Sequence, residues 1–295
     1  MRFRKVAILG VGLLGGSLGL ALRRRGLAGE VCGYVRRAAS VSECRATGSV
    51  DVATTQLHEA VREADLVVLC TPVGQMNAVA TAMLPALSPH ALVTDVGSVK
   101  ASVVSALEPL LSRAGAAFVG SHPMAGSEKN GVSAARPDLF ENAVCIVTPT
   151  AHSPAPALAR VEALWQAVGG RVLRLAPALH DELVSRASHL PQVLAASLAT
   201  VVLARHPEPT QGQVCAGGFR DCTRIASGSP EMWRDILLAN QQPVIAAIDE
   251  FVAGLGEVRE AVVRGDAERV GAFLAAAKQV RDRWLGQNHG TAAGE

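Results

Sequence analysis

A chain of 295 residues with 49% hydrophobic and 18% charged side chains can bury a large core, which excludes wholesale disorder. Its 28 Lys and Arg stand against 26 Asp and Glu, a formal net charge of +2, and its aromatic residues are only six Phe, three Trp and one Tyr. That balance excludes an extended nucleic-acid surface and leaves a small molecule as the expected partner.

Taken in chain order, the first feature is deceptive. Arg2, Arg4 and Lys5 precede an uncharged stretch from Val6 to Leu22, the outline of a secretion signal. Gly10, Gly12, Gly15, Gly16 and Gly19 interrupt it, and it runs into Arg23-Arg24-Arg25 instead of a small-residue cleavage site. No other run reaches the roughly 18 apolar residues of a membrane span, so no membrane association and a cytoplasmic location are expected. The same stretch reads better as a strand, Lys5–Leu9, then Gly10-Val11-Gly12-Leu13-Leu14-Gly15, then a helix from Leu13 to about Arg25. A Gly-x-Gly-x-x-Gly between strand and helix is a dinucleotide fingerprint. Gly10 permits the tight turn, Gly12 the approach of backbone to pyrophosphate, and Gly15 close helix–strand packing. Leu13 and Leu14 open the helix whose N–H groups would meet the phosphates. The bland alternative is a turn and nothing more.

The second strand, Glu30–Tyr34, ends on Val35-Arg36-Arg37, where an NAD enzyme usually has Asp or Glu for the ribose 2′-hydroxyl. Without that carboxylate a 2′-phosphate is not repelled, and guanidiniums can bind it, so NADP is favoured over NAD. Otherwise the two arginines are a solvated turn. Leu66–Cys70 is a third strand; Thr71-Pro72 after it would border the nicotinamide ribose or merely form a loop. Leu92–Asp95 is a fourth, with Asp95 at its end grouped with the cofactor-binding residues. Ser98 follows at the start of a helix, where its hydroxyl suits an N-cap. Ala117–Gly120 is a fifth, and His122 just beyond it lies at the end where doubly wound sheets place their ligands. An imidazole there can serve as a general base or be a loop histidine bonded for structure. Strands Val144–Val147 and Arg171–Leu175 follow, with helices expected at Gln75–Leu84, Val99–Arg113 and Ala157–Val168. Such alternation argues for a mostly parallel, doubly wound sheet of the Rossmann type.

After Pro177 no strand is convincing, and helices are expected at Asp181–His206, Pro230–Leu255 and Val258–Leu285. Pro207, Pro209, Gly212, Gly217 and Gly218 punctuate the first break. The expected domains are a dinucleotide-binding domain over 1–177, an all-helical substrate and dimerisation domain over 178–286, and a disordered tail over 287–295. Cys32, Cys44, Cys70, Cys145, Cys215 and Cys222 show no Cys-x-x-Cys and no histidines at zinc spacing, so no metal site is expected.

Five segments, with the glycine loop, resemble the prephenate/arogenate dehydrogenase family. They are Asp95-Val96-Gly97-Ser98-Val99-Lys100, Gly120-Ser121-His122-Pro123-Met124-Ala125-Gly126-Ser127-Glu128, Ser188-His189-Leu190-Pro191, Gly217-Gly218-Phe219-Arg220-Asp221-Cys222-Thr223-Arg224-Ile225-Ala226 and Pro230-Glu231-Met232-Trp233-Arg234-Asp235. The resemblance implies NAD(P)-dependent oxidative decarboxylation of prephenate or arogenate on the route to tyrosine, by a homodimer formed through the helical domain. It makes His122 the acceptor of the substrate hydroxyl proton and has Ser98 orient that histidine, the hydroxyl and the nicotinamide; one hydroxyl cannot fully serve this and the cap, and the alternative is that a neighbour caps the helix. Arg224 would hold a substrate carboxylate, the alternative being an ion pair with Asp221. His189 would line the substrate pocket, the alternative being a core histidine satisfied by a backbone partner. Many prephenate users read Ser-His-Leu-Pro-His, but here Gln192 ends the motif, a residue that donates and accepts but carries no charge. Prephenate, giving 4-hydroxyphenylpyruvate, stays ahead of arogenate, and inhibition by tyrosine at the active site stays open. Neither an appended regulatory domain nor a fused mutase is expected.

Two other readings compete. A β-hydroxyacid dehydrogenase would need a lysine on the first long helix of the second domain, and Asp181–His206 has none. A non-catalytic dinucleotide sensor would have no use for Ser98, His122 and Arg224 together.

Overall fold

The structure is a computed structural model that describes residues 2–127, 129–204 and 210–289. The punctuation expected at Pro207 and Pro209, the end of the helix expected to reach His206, Glu128 and residues 290–295 of the expected tail lie outside the described residues.

Alternating strands and helices open the chain: β1 (Phe3–Leu9), α1 (Leu13–Arg24), β2 (Ala28–Tyr34), α2 (Ala38–Thr47), β3 (Val52–Thr54), α3 (Leu57–Val61), β4 (Leu66–Leu69), α4 (Val73–Met83), β5 (Leu92–Asp95), α5 (Ala101–Arg113) and β6 (Ala117–Phe118). The six strands form one parallel sheet in the order β3-β2-β1-β4-β5-β6. Val6-Ala7-Ile8-Leu9 and Leu66-Val67-Val68-Leu69 are unbroken apolar runs because both faces of a parallel sheet are covered. Val6 and Ile8 pack on one face with Leu18, Leu22 and Trp165; Ala7 and Leu9 pack on the other with Met76, Met83 and Leu107. Leu9 pairs with both Tyr34 and Leu69, and Leu69 with Asp95. The carboxyl ends of β1, β2, β4 and β5 are therefore level, and strand order reverses between β1 and β4. Ligands of such sheets bind at that reversal.

The expected strand Ala117–Gly120 is a correction. The chain leaves the parallel sheet after Phe118 and restarts as β7 (Gly120–Pro123), antiparallel to β8 (Val144–Thr148), so His122 lies within a strand and not in a loop after one. After α6 (Ala155–Ala167), β9 (Arg171–Arg174) pairs parallel to β8 and completes a separate three-stranded sheet. β3 escaped the sequence reading because three residues are too few to show alternation.

From Pro177 the chain is helical, and its breaks differ from those expected. Asp181–His206 divides into α7 (Pro177–Val184), a wide π turn (Ser185–His189) and α8 (Leu190–Leu203). Short helices α9 (Thr210–Gln213) and α10 (Gly217–Thr223) precede a 3₁₀ turn at Arg224–Ser227 and α11 (Pro230–Ala239). Next come α12 (Gln241–Val263) and α13 (Ala267–His289), so Gln287–His289 of the expected tail continue a helix. The break expected between Leu255 and Val258 falls inside α12. The stop is at Gly265, whose φ of +64° is the left-handed cap conformation, with its N–H bonded to the Val262 carbonyl and that of Asp266 to the Ala261 carbonyl.

The last strand ends just before residue 177. Compactness divides the chain further on, into Met1–Val244 and Ile245–Glu295. In the second unit Val252, Leu255, Val262, Val263, Phe273, Leu274, Val280 and Trp284 are exposed.

Candidate active site

Two sites emerge within the first compact unit. The first is a cleft of about 230 Å³ at the reversal of strand order, lined by Gly10, Val11 and Gly12 after β1, Tyr34 to Arg37 and Ser40 after β2, and Cys70, Thr71, Pro72 and Gln75 after β4. Gly10 has φ +101°, and a Cβ there would lie 2.8 Å from the Cys70 carbonyl oxygen. A Cβ on Gly15 would collide with the Gly10 carbonyl oxygen, so helix α1 meets the end of β1 only because Gly15 lacks one. Nothing lies within 4 Å of the position a Gly12 Cβ would take, which leaves the start of α1 open. No side chain caps α1 and no acidic residue occupies its first turn, so its N–H groups are free for an anion. Leu13 and Leu14 present backbone there while their side chains pack against the core. Thr71 Oγ1 is buried without a partner at the cleft wall. These features fit a dinucleotide.

Val35 is buried and lines the cleft, whereas Arg36 and Arg37 are exposed. Arg37 is the N-cap residue of α2, whose first turn carries no acidic residue, and its Nη2 donates to Ser40 Oγ at 3.4 Å. Two guanidiniums and a helix N-terminus thus give this end of the cleft a positive field.

Asp95 is a correction. The sequence reading grouped it with the cofactor-binding residues, yet its carboxylate is fully buried and turned inward. Oδ1 accepts from Ser121 N, and Oδ2 accepts from Gly97 N and Lys100 Nζ. Ser98 is also not the N-cap of α5. It occupies the half-buried bend before that helix, and the Asp181 carboxylate, 80 residues further on, accepts from Lys100 N at 2.7 Å and Ala101 N at 2.8 Å.

Around Asp181 lies the second site. His180 Nδ1 is 2.7 Å from Asp181 Oδ1, and His122 Nδ1 is 2.8 Å from His180 Nε2. A carboxylate only accepts, so His180 donates to it from Nδ1, and with its one proton there His180 accepts at Nε2 from His122 Nδ1–H. The chain of bonds therefore leaves the lone pair of His122 on Nε2. Burial drives the His122 pKa well below its usual value, and the charge of Lys100 pushes it the same way. A neutral imidazole with a bare Nε2 can take a proton from a hydroxyl.

A parallel argument fixes His189. Asn240 Nδ2 donates to the Asp181 carbonyl at 2.9 Å and lies 3.1 Å from His189 Nδ1. An amide nitrogen only donates, so His189 accepts at Nδ1 and carries its proton on Nε2, which is buried with no partner. Burial takes its pKa down to about 4 against the opposing pull of Asp181. Trp233 stands edge-on to the ring at 6.2 Å between centroids. One turn along, Gln192 is buried with Oε1 unpartnered. Arg224 opens the 3₁₀ turn that packs against α8, and it is exposed.

The structure thus brings Gly10, Gly12, Val35, Arg36, Arg37, Thr71 and Pro72 into one cleft. It links His122 and His189 through the two halves of residue 181. Sequence reasoning missed His180, Asp181, Lys100 and Asn240. Lys100 lay inside a quoted segment, and a His-Asp pair just after the helix-starting Pro177 was a faint signal. Among the described residues no cluster of three or more His, Cys, Asp or Glu could hold a metal, and no helix is long and apolar enough to cross a membrane.

Comparison with known proteins accords with this geometry. Residues 18–174 match the family model described as prephenate dehydrogenase, nucleotide-binding domain, and residues 176–276 the model described as prephenate dehydrogenase, dimerization domain. A cyclohexadienyl dehydrogenase of Zymomonas mobilis is 37% identical over 268 residues, covering 90% of this chain and 91% of the relative. The crystal structure of prephenate dehydrogenase from Aquifex aeolicus, in complex with hydroxyphenyl propionate and NAD+, superimposes with a TM-score of 0.89 at 36% identity, covering 96% of this chain and 99% of that one. An arogenate dehydrogenase from Synechocystis superimposes with a TM-score of 0.79 at 28% identity, covering 95% of this chain and 99% of the other. The chain is a dehydrogenase with a nucleotide-binding domain, and it belongs to the prephenate dehydrogenase family.

Proposed function

We propose that the protein oxidatively decarboxylates prephenate to 4-hydroxyphenylpyruvate, with His122 as the proton acceptor. The observation that carries this reading is the buried bond chain Asp181–His180–His122, which leaves a neutral imidazole with its lone pair on Nε2. A nicotinamide bound in the cleft supplies the hydride acceptor. As hydride leaves the ring carbon bearing the hydroxyl, His122 Nε2 takes the hydroxyl proton and a carbonyl forms. The imidazolium is then stabilised through His180 by Asp181, as a carboxylate stabilises the histidine of a catalytic triad. Loss of carbon dioxide from the opposite ring carbon sends its electron pair through the ring to the carbonyl oxygen. That oxygen recovers the proton from His122, and the product is a phenol.

Ser98, in the bend beside β5, is assigned to orienting the hydroxyl. Arg224 is assigned to a substrate carboxylate, which a guanidinium matches in shape and charge. His189 Nε2–H, a buried donor without a protein acceptor, suits a carboxylate or keto oxygen on the substrate side chain. Gly10, Gly12, Gly15 and the backbone of Leu13 and Leu14 are assigned to the pyrophosphate, and Thr71 and Pro72 to the nicotinamide ribose. NADP is favoured over NAD because Val35 offers no carboxylate while Arg36, Arg37 and the start of α2 offer positive charge. A homodimer is part of the reading, supported by the exposed apolar side chains of α12 and α13 and by the family model's description of its second part.

One observation favours arogenate as a second substrate. Gln192 Oε1 is a buried acceptor with no partner, and an ammonium group would satisfy it. Steady-state kinetics crossing prephenate and arogenate with NADP and NAD, read by absorbance of the reduced nicotinamide, tests the whole reading. Turnover should be highest with prephenate and NADP; no reduction with either substrate would overturn it.

A further inference from the structure

We propose that the buried Asp95–Lys100 ion pair is a positioning element for His122, holding the main chain of the residue before it from both sides. The inference rests on His122 being the proton acceptor. Both side chains are completely buried. Asp95 Oδ1 accepts from Ser121 N at 3.0 Å, and Lys100 Nζ donates to Ser121 O at 2.9 Å as well as to Asp95 Oδ2. Ser121 Oγ donates back to the Asp95 carbonyl at 2.6 Å. Lys100 is itself fixed at its other end, because its N–H donates to Asp181, the carboxylate that orients His180.

The place of this pair in the fold explains why charges are used. The parallel ladder between β5 and β6 ends at the bond from Val119 N to the Val93 carbonyl. Beyond it the chain bends away to pair with β8, and side chains of β5 take over the ladder. Thr94 Oγ1 donates to the Val119 carbonyl at 2.7 Å, and Asp95 receives Ser121 N. Apolar side chains could fill the same volume but could not make these bonds. Stability alone gives little reason for the pair, since burying two charges costs several kcal/mol each and apolar replacements are often neutral or better. Its position one residue from His122 gives a reason. The titratable and charged groups around that imidazole are Asp95 and Lys100 from the β5–α5 junction, His180 and Asp181 from α7, and His189 from the π turn. Lys100 among them disfavours the imidazolium.

Three variants test the proposal, each assayed by single-turnover hydride transfer per folded molecule and by dinucleotide affinity. Asp95→Leu with Lys100→Met keeps the volume and removes the bonds; the rate should fall about 10- to 100-fold while dinucleotide affinity stays within twofold. Asp95→Asn with Lys100→Gln keeps donors and acceptors without charge; the rate should stay within fivefold of wild type, and the acid limb of its pH profile should move to higher pH. A rate within threefold of wild type in the first variant overturns the proposal, and so does an unmoved acid limb in the second. The second variant decides the matter if the first does not fold. His122→Asn separates the two levels. If it retains the wild-type rate, the assignment of the base fails; if it is inactive while the first double variant is not, only the positioning role fails.

Discussion

The dinucleotide cleft and the histidine centre are built in opposite ways. The cleft is assembled from three short stretches, each directly following a strand, and it is open enough for a cofactor to supply the missing partners. The centre is held from within: His122, His180, Asp181, Lys100 and Asp95 bond to one another, leaving His122 Nε2 bare, and the bonds from His122 to His180 and from Lys100 to Asp181 cross the fold. Local backbone geometry makes the first, and long-range side-chain pairing makes the second. The first should therefore tolerate exchange of cofactor contacts, while the second should respond sharply to single substitutions.

The largest expected effect breaks the centre. His122→Asn retains some hydrogen bonding but cannot take the proton, so kcat should fall roughly 10²- to 10⁴-fold with dinucleotide affinity nearly unchanged. A variant within threefold of wild type would return His122 to a structural role.

The substrate end comes next. Arg224→Ala removes a charge-assisted contact worth about 1.5–3 kcal/mol, so the KM for prephenate should rise roughly 10- to 150-fold with a smaller change in kcat. If the protein instead loses folded yield while the folded fraction keeps its KM, Arg224 serves the 3₁₀ turn.

The contrast between the two regions also measures how much the sequence reveals. The glycine loop, the arginines after β2 and Thr71 could be read because strand, turn and helix are consecutive and their spacing is the signal. The segment around Ser98 was read less well. Its position before a helix matched an N-cap, but the cap comes from Asp181, and no local pattern announces a partner 80 residues away. Asp95 was misassigned for the same reason: a carboxylate at a strand end near a cofactor cleft can turn either way, and the buried amine of Lys100 decides it. His122 was expected just after a strand and lies within one, since the switch from the parallel ladder to β8 depends on pairing with residues not yet reached in the chain. The helices were legible as a class, but their breaks depend on the left-handed cap at Gly265 and on the π turn at Ser185–His189.

Cofactor preference sharpens the comparison from the other side. Arg36→Ala should lose about one decade of NADP affinity, the low end of a charge-assisted contact, because both arginines are exposed and salt screens them. Val35→Asp should reverse the preference toward NAD. Equal or tighter binding of NAD by the wild type would make the arginines a solvated turn.

A smaller effect appears in stability. The folded pKa of His189 is about 4, below the roughly 6.5 of an unfolded chain. As pH falls from about 6.5 to 4 the unfolded state binds a proton that the native state refuses, so stability present above that window is lost through it, by up to about 1.4 kcal/mol per pH unit. His189→Asn should flatten the thermal midpoint against pH over this range. An unchanged slope would mean that His189 is not held neutral.

The central claim is that the Asp181–His180 pair dictates which nitrogen of His122 is free. Nitrogen-15 NMR of selectively labelled histidine in the folded protein, with His122 assigned by its loss in His122→Asn, reads this directly at neutral pH. The account predicts a neutral ring with the proton on Nδ1 and a bare Nε2. A ring protonated on Nε2, or an imidazolium, would contradict it.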